Sequence, residues 1–146
     1  MRAFVIEGEP KGKGRPRFNS NSGFAYTPEN TVMYENLIKM SYRQECNEPM
    51  YEKGVPLVVQ ITAFYSIPQS ASRTKRQNML FEKIRPTKKP DIDNLCKVVM
   101  DSLNKIAYHD DAQVVKATVS KFYSDYPRVF VQIWTLEEYE KIFERL

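Results

Sequence analysis

The segment Lys89-Pro90-Asp91-Ile92-Asp93-Asn94-Leu95-Cys96-Lys97, continued by Tyr108-His109-Asp110-Asp111-Ala112-Gln113-Val114, sets carboxylates at both ends of one predicted helix, with a lysine one turn inside it. At about 100° per residue, Leu95, Val98, Val99, Ser102, Leu103 and Ile106, with Cys96 and Ala107, fall on one arc that suits a core. Asp93, Lys97 and Asp101, at i, i+4 and i+8, form a stripe on the other side with Asn94, Asn104 and Lys105. The pattern predicts an amphipathic helix from about Asp93 to Ala107. Asp91 lies just before it, near the N-terminus, where the partial positive charge favours anions.

A helix of about 15 residues is roughly 22 Å long. Asp110 and Asp111 therefore meet Asp91 and Asp93 only if the chain turns back across the helix, or if another chain supplies the acid. Three converging carboxylates raise one another's pKa unless a cation neutralises them. Hard oxygen donors select Mg²⁺ or Mn²⁺, and Mg²⁺ commonly shares its shell with phosphate oxygens. Lys97 is placed to neutralise charge developing on a phosphoryl group or to orient an attacking water. Each part also has a structural explanation: Asp93 as an N-cap, Lys97–Asp101 as an ordinary helix pair, Asp110-Asp111 as a turn before a strand. His109, the single histidine, reads as a solvated loop residue beside the acids.

The charge distribution points outward from this cluster to a polyanion. Net charge is +4, but residues 10–17 hold Lys11, Lys13, Arg15 and Arg17 without an acid. Residues 68–90 hold Arg73, Lys75, Arg76, Lys83, Arg85, Lys88 and Lys89 against Glu82 alone, so the rest of the chain is net acidic. Cations gathered in two segments are the footprint expected of a nucleic-acid binder. Phe18, Phe24 and Tyr26 in the first of them are suited either to stacking on unpaired bases or to packing that loop on the domain.

The remaining elements follow from local pattern. Residues 2–7 read as a strand, and 8–26 as a basic loop. Thr27-Pro28-Glu29 opens a helix to about Glu45, with Thr27 as the cap. Its apolar face carries Met33, Leu37 and Met40 with Tyr34 and Ile38 alongside. Pro56 to Ile67 alternates at period two and is the clearest strand. Residues 68–90 read as a second basic loop. Val114–Tyr123 and Arg128–Thr135 read as strands joined in an antiparallel hairpin through Ser124-Asp125-Tyr126-Pro127. Thr135-Leu136-Glu137-Glu138 is a capping box opening a short helix over 136–146, with Leu136, Tyr139, Phe143 and Leu146 on its apolar side. The order is β-α-β-α-β-β-α, a single α+β domain over 1–146 with a mixed sheet covered by helices. Cys46 and Cys96 are expected to be reduced thiols, and Trp134 to be core or interface. No apolar run approaches the roughly 20 residues of a membrane span, so a cytoplasmic protein is expected.

Pro90-Asp91-Ile92-Asp93-Asn94-Leu95-Cys96-Lys97, Asp101-Ser102-Leu103-Asn104 and Asp110-Asp111-Ala112-Gln113-Val114 together resemble the signature of the RusA-type Holliday junction resolvases. The resemblance implies that Asp91, Asp93 and Asp111 bind Mg²⁺, with Asp110 as neighbour or alternative ligand, and that Lys97 assists catalysis. It also implies that the second acid pair returns to the first, that the enzyme is a homodimer, and that its origin is a phage, a prophage or a bacterium. The expected activity is paired nicking of a four-way junction or related branched DNA. Lys11, Lys13, Arg15, Arg17, Arg73, Lys75, Arg76, Arg85, Lys88 and Lys89 are the expected DNA contacts. The rivals are a non-catalytic module that binds branched or single-stranded DNA, and a general metal-dependent phosphoesterase.

Overall fold

Four strands form the main sheet: β1 (Arg2–Glu7), β4 (Leu57–Ser66), β5 (Val114–Ser124) and β6 (Arg128–Thr135). A separate two-stranded hairpin consists of β2 (Arg17–Asn19) and β3 (Phe24–Tyr26). The helices are α1 (Glu29–Glu45), α2 (Arg73–Leu80), α3 (Ile92–Leu103) and α4 (Leu136–Phe143), and a 3-10 turn, Asp111–Gln113, precedes β5. This computed structural model describes residues 1–26 and 28–144. The result is one α+β domain with a mixed sheet, as the sequence pattern implies.

The sheet order is β1-β6-β4-β5, with β4 parallel to β5 and antiparallel to β6. This corrects the expected hairpin, because β5 and β6 lie on opposite sides of β4 instead of pairing. Along β4, residues 57–65 alternate between fully and partly buried after an apolar start, so this strand gains most from having both edges covered. Crossing it takes two strand spacings, about 9.6 Å. The three residues Asp125-Tyr126-Pro127 bridge that distance at about 3.3 Å each, passing beyond Ser66, where β4 ends. β5 is left as an edge strand, and its exposed Lys116 protects it from pairing with another chain.

Helices α1 and α3 cover one face of the sheet. Leu95, Val98, Val99 and Leu103 of α3 and Ile38 and Tyr42 of α1 pack on Phe4, Ile6, Val59, Ile61, Val129 and Ile133. The expected arc of α3 is thus the buried one, and Ser102 fits it by donating to the Val98 carbonyl at 2.6 Å. On α1 the buried stripe is Tyr34, Ile38 and Tyr42 with Thr31 and Ser41, whereas Met33 and Met40 are exposed. The apolar residues of α1 are wider than one face. The aromatic pair takes the sheet side, with Tyr42 edge-on to Phe4 at 5.4 Å.

Three boundaries also differ from expectation. α1 begins at Glu29 after Pro28, whose carbonyl accepts from the amides of Thr31 and Val32, both at 3.1 Å; the expected cap, Thr27, lies outside the described residues. α3 stops at Leu103, because Asn104 turns extended and Lys105 adopts φ 65°. α4 opens on the expected capping box, with Glu138 N donating to Thr135 Oγ1 at 3.1 Å, but ends at Phe143 with Glu144 as its C-cap; Leu146, expected on its apolar side, lies outside the described residues. Trp134 is buried and its ring meets those of Tyr139 and Phe143. Both cysteines are free thiols, and burial pushes each above its ordinary pKa.

The two segments expected to be loops are partly ordered. The first carries the β2–β3 hairpin, and the second carries α2, which Ser72 caps by accepting from Lys75 N at 3.2 Å. Periodicity conceals both, since neither element has more than one buried residue to mark a face.

Candidate active site

Asp91 is the N-cap of α3, with its Oδ1 accepting from the Asn94 amide at 3.0 Å. Capping therefore falls to Asp91 rather than Asp93, and it leaves the second Asp91 oxygen and the Asp93 carboxylate open. Both residues are exposed, as is Lys97 one turn further on. None of these three side chains makes an ion pair among the described residues. The segment before the cap is fixed from below. Tyr65, at the end of β4, donates its buried hydroxyl to the Pro90 carbonyl at 2.6 Å, beside a cis Lys89–Pro90 bond. Burial pushes the Tyr65 phenol far above its ordinary value, so it remains a donor at any physiological pH.

A strap, residues 10–16, lies over this end of α3. Gly12 passes so close that an added Cβ would stand 2.5 Å from Asn94 Nδ2. Gly14 donates its amide to Thr31 Oγ1 at 2.8 Å, and a Cβ there would stand 2.6 Å from the same oxygen. Between the glycines, Lys13 reaches Asp101 Oδ2 at 2.8 Å, and that bond holds the ammonium above its ordinary pKa. The alternative reading of Lys97–Asp101 as an ordinary helix pair does not hold, since Asp101 pairs with Lys13.

Two grooves result. One, about 390 Å³, is lined by Lys13, Gly14, Arg15 and Pro16 against Asp91, Asp93, Asn94 and Lys97. The other, about 340 Å³, joins Lys11 and Lys13 to Lys89, Pro90 and Asn94. The two basic segments, far apart in sequence, thus meet at the N-terminal end of α3. Other expected DNA contacts have partners in the fold. Arg76 pairs with Asp125, and Arg85 lies 3.8 Å over the Phe122 ring and donates to the Lys121 carbonyl at 2.6 Å. Arg73 and Lys75 are exposed on α2, Arg17 is exposed on β2, and Lys88 stands 5.9 Å over the Tyr65 ring.

The second acid pair sits at the other end of the helix. Asp111 donates its amide to Asn104 Oδ1 at 2.8 Å, and Asn104 Nδ2 returns toward Asp111 Oδ2 at 3.5 Å. Asn104 is the C-cap of α3, so Asp111 is tied at the far end from Asp91 of a 12-residue helix about 18 Å long. The return of Asp111 to Asp91 and Asp93, expected from the resemblance, does not occur within this chain. Among the described residues no three acids, histidines or cysteines lie together as a metal site.

Asp110 and Asp111 differ in their partners. Asp110 caps the 3-10 turn, and Gln113 closes the box by accepting from the amides of His109 and Asp110 at 3.0 and 3.3 Å. Gln113 also donates to the Glu52 and Val55 carbonyls, which anchors the turn to the loop between α1 and β4. Asp111 is half-buried, and burial, with Asp110 and then Asp101 nearby, pushes its carboxyl above the usual range. Tyr65, Asn94, Asn104, Gln113 and the two strap glycines position the site yet carry no chemical signature. Of these, the sequence signature contains Asn94, Asn104 and Gln113, whereas nothing in the sequence marks Tyr65 or the two glycines.

The site is thus a pair of open carboxylates beneath a basic strap in a small α+β domain. The RusA endodeoxyribonuclease family model matches residues 7–134, and the chain belongs to that family. It is 37% identical over 134 residues to the uncharacterised protein YqaN of Bacillus subtilis (strain 168), covering 89% of this chain and 93% of that one. It is 30% identical over 128 residues to the crossover junction endodeoxyribonuclease rusA of Lactococcus phage r1t, covering 87% and 84%. No described helix is long and apolar enough to cross a membrane.

Proposed function

We propose that this protein is a Mg²⁺-dependent endodeoxyribonuclease that resolves Holliday junctions or related branched DNA by paired nicks, and that it acts as a homodimer. The observation that carries the reading is the groove in which Asp91, Asp93 and Lys97 face Lys13 and Arg15, in a chain of the RusA family. The phage relative's name specifies crossover junctions, and branched DNA is carried over from it.

The donors suit a hard divalent cation. Asp91 retains one oxygen after capping and Asp93 retains two, and Asp111 adds a further carboxylate whose pKa burial and the neighbouring acids hold above the usual range. Mn²⁺ satisfies the same donor set. When bound, the ion polarises the phosphoryl oxygen and lowers the pKa of the attacking water. Arg15, Lys11 and Lys89 hold the phosphates flanking the scissile bond. Lys97 opposes charge growing on the reacting phosphoryl group, and Asp91 and Asp93 keep that end of the groove from binding phosphate until the cation arrives.

Because Asp111 is held at the far end of α3, a three-carboxylate site needs Asp91 and Asp93 from one protomer and Asp111 from its partner. A two-fold axis crossing α3 near its middle, with the two helices antiparallel, achieves this at both ends at once. Such a dimer presents two sites related by the symmetry of a four-way junction. The test is nicking of a synthetic four-way junction with Mg²⁺. Wild type should nick in symmetric pairs, and Lys97→Ala should bind the junction while losing most cleavage. Binding without nicking by wild type would contradict the proposal, and equal nicking of linear duplex would indicate a general nuclease.

A further inference from the structure

Phe18, Phe24 and Tyr26 are 69%, 75% and 49% exposed, although aromatic residues kept for packing are normally buried. All three lie on the β2–β3 hairpin, whose register pairs Arg17 with Tyr26, Phe18 with Ala25 and Asn19 with Phe24. Cross-strand partners share a face and faces alternate along each strand. Tyr26 and Phe24 therefore share one face with Arg17 and Asn19, and Phe18 occupies the other. An isolated two-stranded hairpin is marginal in water, and apolar rings on both its faces are unexplained by a core.

The hairpin is nonetheless a defined structure. Asn19 Oδ1 accepts from the amides of Asn21 and Ser22 at 2.9 and 3.3 Å, and the Gly23 amide donates to the Asn19 carbonyl at 2.8 Å. Gly23 takes φ +74°, a conformation that favours glycine at the turn.

Charge and position identify the occupant. From Pro10 to Pro28 there are four cations and no acid. A second copy of the arm would bring like charge to like, whereas a polyanion with aromatic faces complements both properties. Arg15 and Pro16 line the acid groove, and Phe18 follows three residues after Arg15, within roughly 10 Å. Linear duplex hides its base faces within the stack. A branch point, where strands leave one stack for another, is where stacking is most easily interrupted.

We propose that the hairpin Arg17–Tyr26 stacks its aromatic rings on bases unstacked at the branch point, beside the scissile phosphate, and so distinguishes branched from linear DNA. This rests on the endonuclease reading above.

The experiment uses the Asp93→Asn protein, to prevent cutting, with and without Phe18→Leu and Phe24→Leu together. Binding is measured to a four-way junction carrying 2-aminopurine at the branch point and to a duplex of the same arms. The added substitutions should weaken junction binding about tenfold or more, leave duplex binding unchanged and abolish the 2-aminopurine emission change. Equal junction binding by both proteins, or a parallel loss on both DNAs, would overturn the role of the arm. So would dissociation of the substituted protein into monomers, which would assign the arm to the subunit interface. If the Asp93→Asn parent itself shows no preference for the junction, the branched-DNA reading fails and the arm proposal fails with it.

Discussion

The two ends of α3 are built in opposite ways. At the N-terminal end, Asp91 and Asp93 are exposed and free of ion pairs, under a strap of lysine and arginine. At the C-terminal end, Asp111 is half-buried, tied to Asn104, and crowded by Asp110 and Asp101. In the proposed function the strap of the first end holds phosphate and its acids hold a cation. The second offers a carboxylate that resists ionisation until positive charge is near. Neither end gathers three acids among the described residues, and about 18 Å of helix separates them. Under the proposed dimer, one short helix carries two half-sites, each completed by the opposite end of another copy.

The largest effect should come from the open end. Asp93→Asn should lower nicking by about a hundred- to a thousandfold while junction binding, measured by gel shift, persists. An equal loss of binding would make Asp93 a fold residue. At the tied end, Asn104→Ala removes the acceptor of the Asp111 amide. It should cost about 1 kcal/mol in urea unfolding and about 10–100-fold in the Mg²⁺ concentration needed for half-maximal nicking. An unchanged Mg²⁺ requirement would show that the Asn104 tie has no bearing on the metal.

Arg15→Gln probes only the strap. It should leave the Mg²⁺ requirement alone and make the plot of log affinity against log salt shallower by about 0.9, as expected for one phosphate contact. An unaltered slope would remove Arg15 from the DNA surface. The smallest effect concerns stability without metal. Because the folded-state pKa of Asp111 lies above the unfolded value, the native state holds that proton more firmly. Its stabilisation is fully present below the unfolded pKa and is lost as pH rises through the folded one. Asparagine imitates the protonated form at every pH. Asp111→Asn should therefore melt slightly higher than wild type at pH 7 in EDTA, with the gap closing near pH 3; a lower melting point at pH 7 would reverse the sign.

Much of this was legible in the sequence because it is local. The arc Leu95–Val98–Val99–Leu103 and the Thr135–Glu138 capping box depend on spacing alone, and both occur as spaced. The acid–lysine cluster was legible because its chemistry is unusual on one helix. The strand order was not, since a turn at 125–127 suits either a hairpin or a step across β4. Burial on α1 was misread where Met33 and Met40 are as apolar as the residues that won the sheet face. The hydrogen bond between Tyr65 and Pro90 and the passage of Gly12 across Asn94 are contacts between distant segments, which no periodicity records. The place of Asp111 was undecided for the same reason. Its distance from Asp93 depends on where α3 ends, and Asn104 ends it early.

The direct test of the shared site is complementation in trans. Asp93→Asn and Asp111→Asn proteins, each inactive alone, are mixed, allowed to exchange subunits and assayed on a four-way junction with Mg²⁺. If the acids come from two chains, each mixed dimer contains one site with all its carboxylates, and single-strand nicking returns. If mixing restores no nicking although exchange is demonstrated by sedimentation of differently tagged subunits, the acids act within one chain and the two-chain site is wrong.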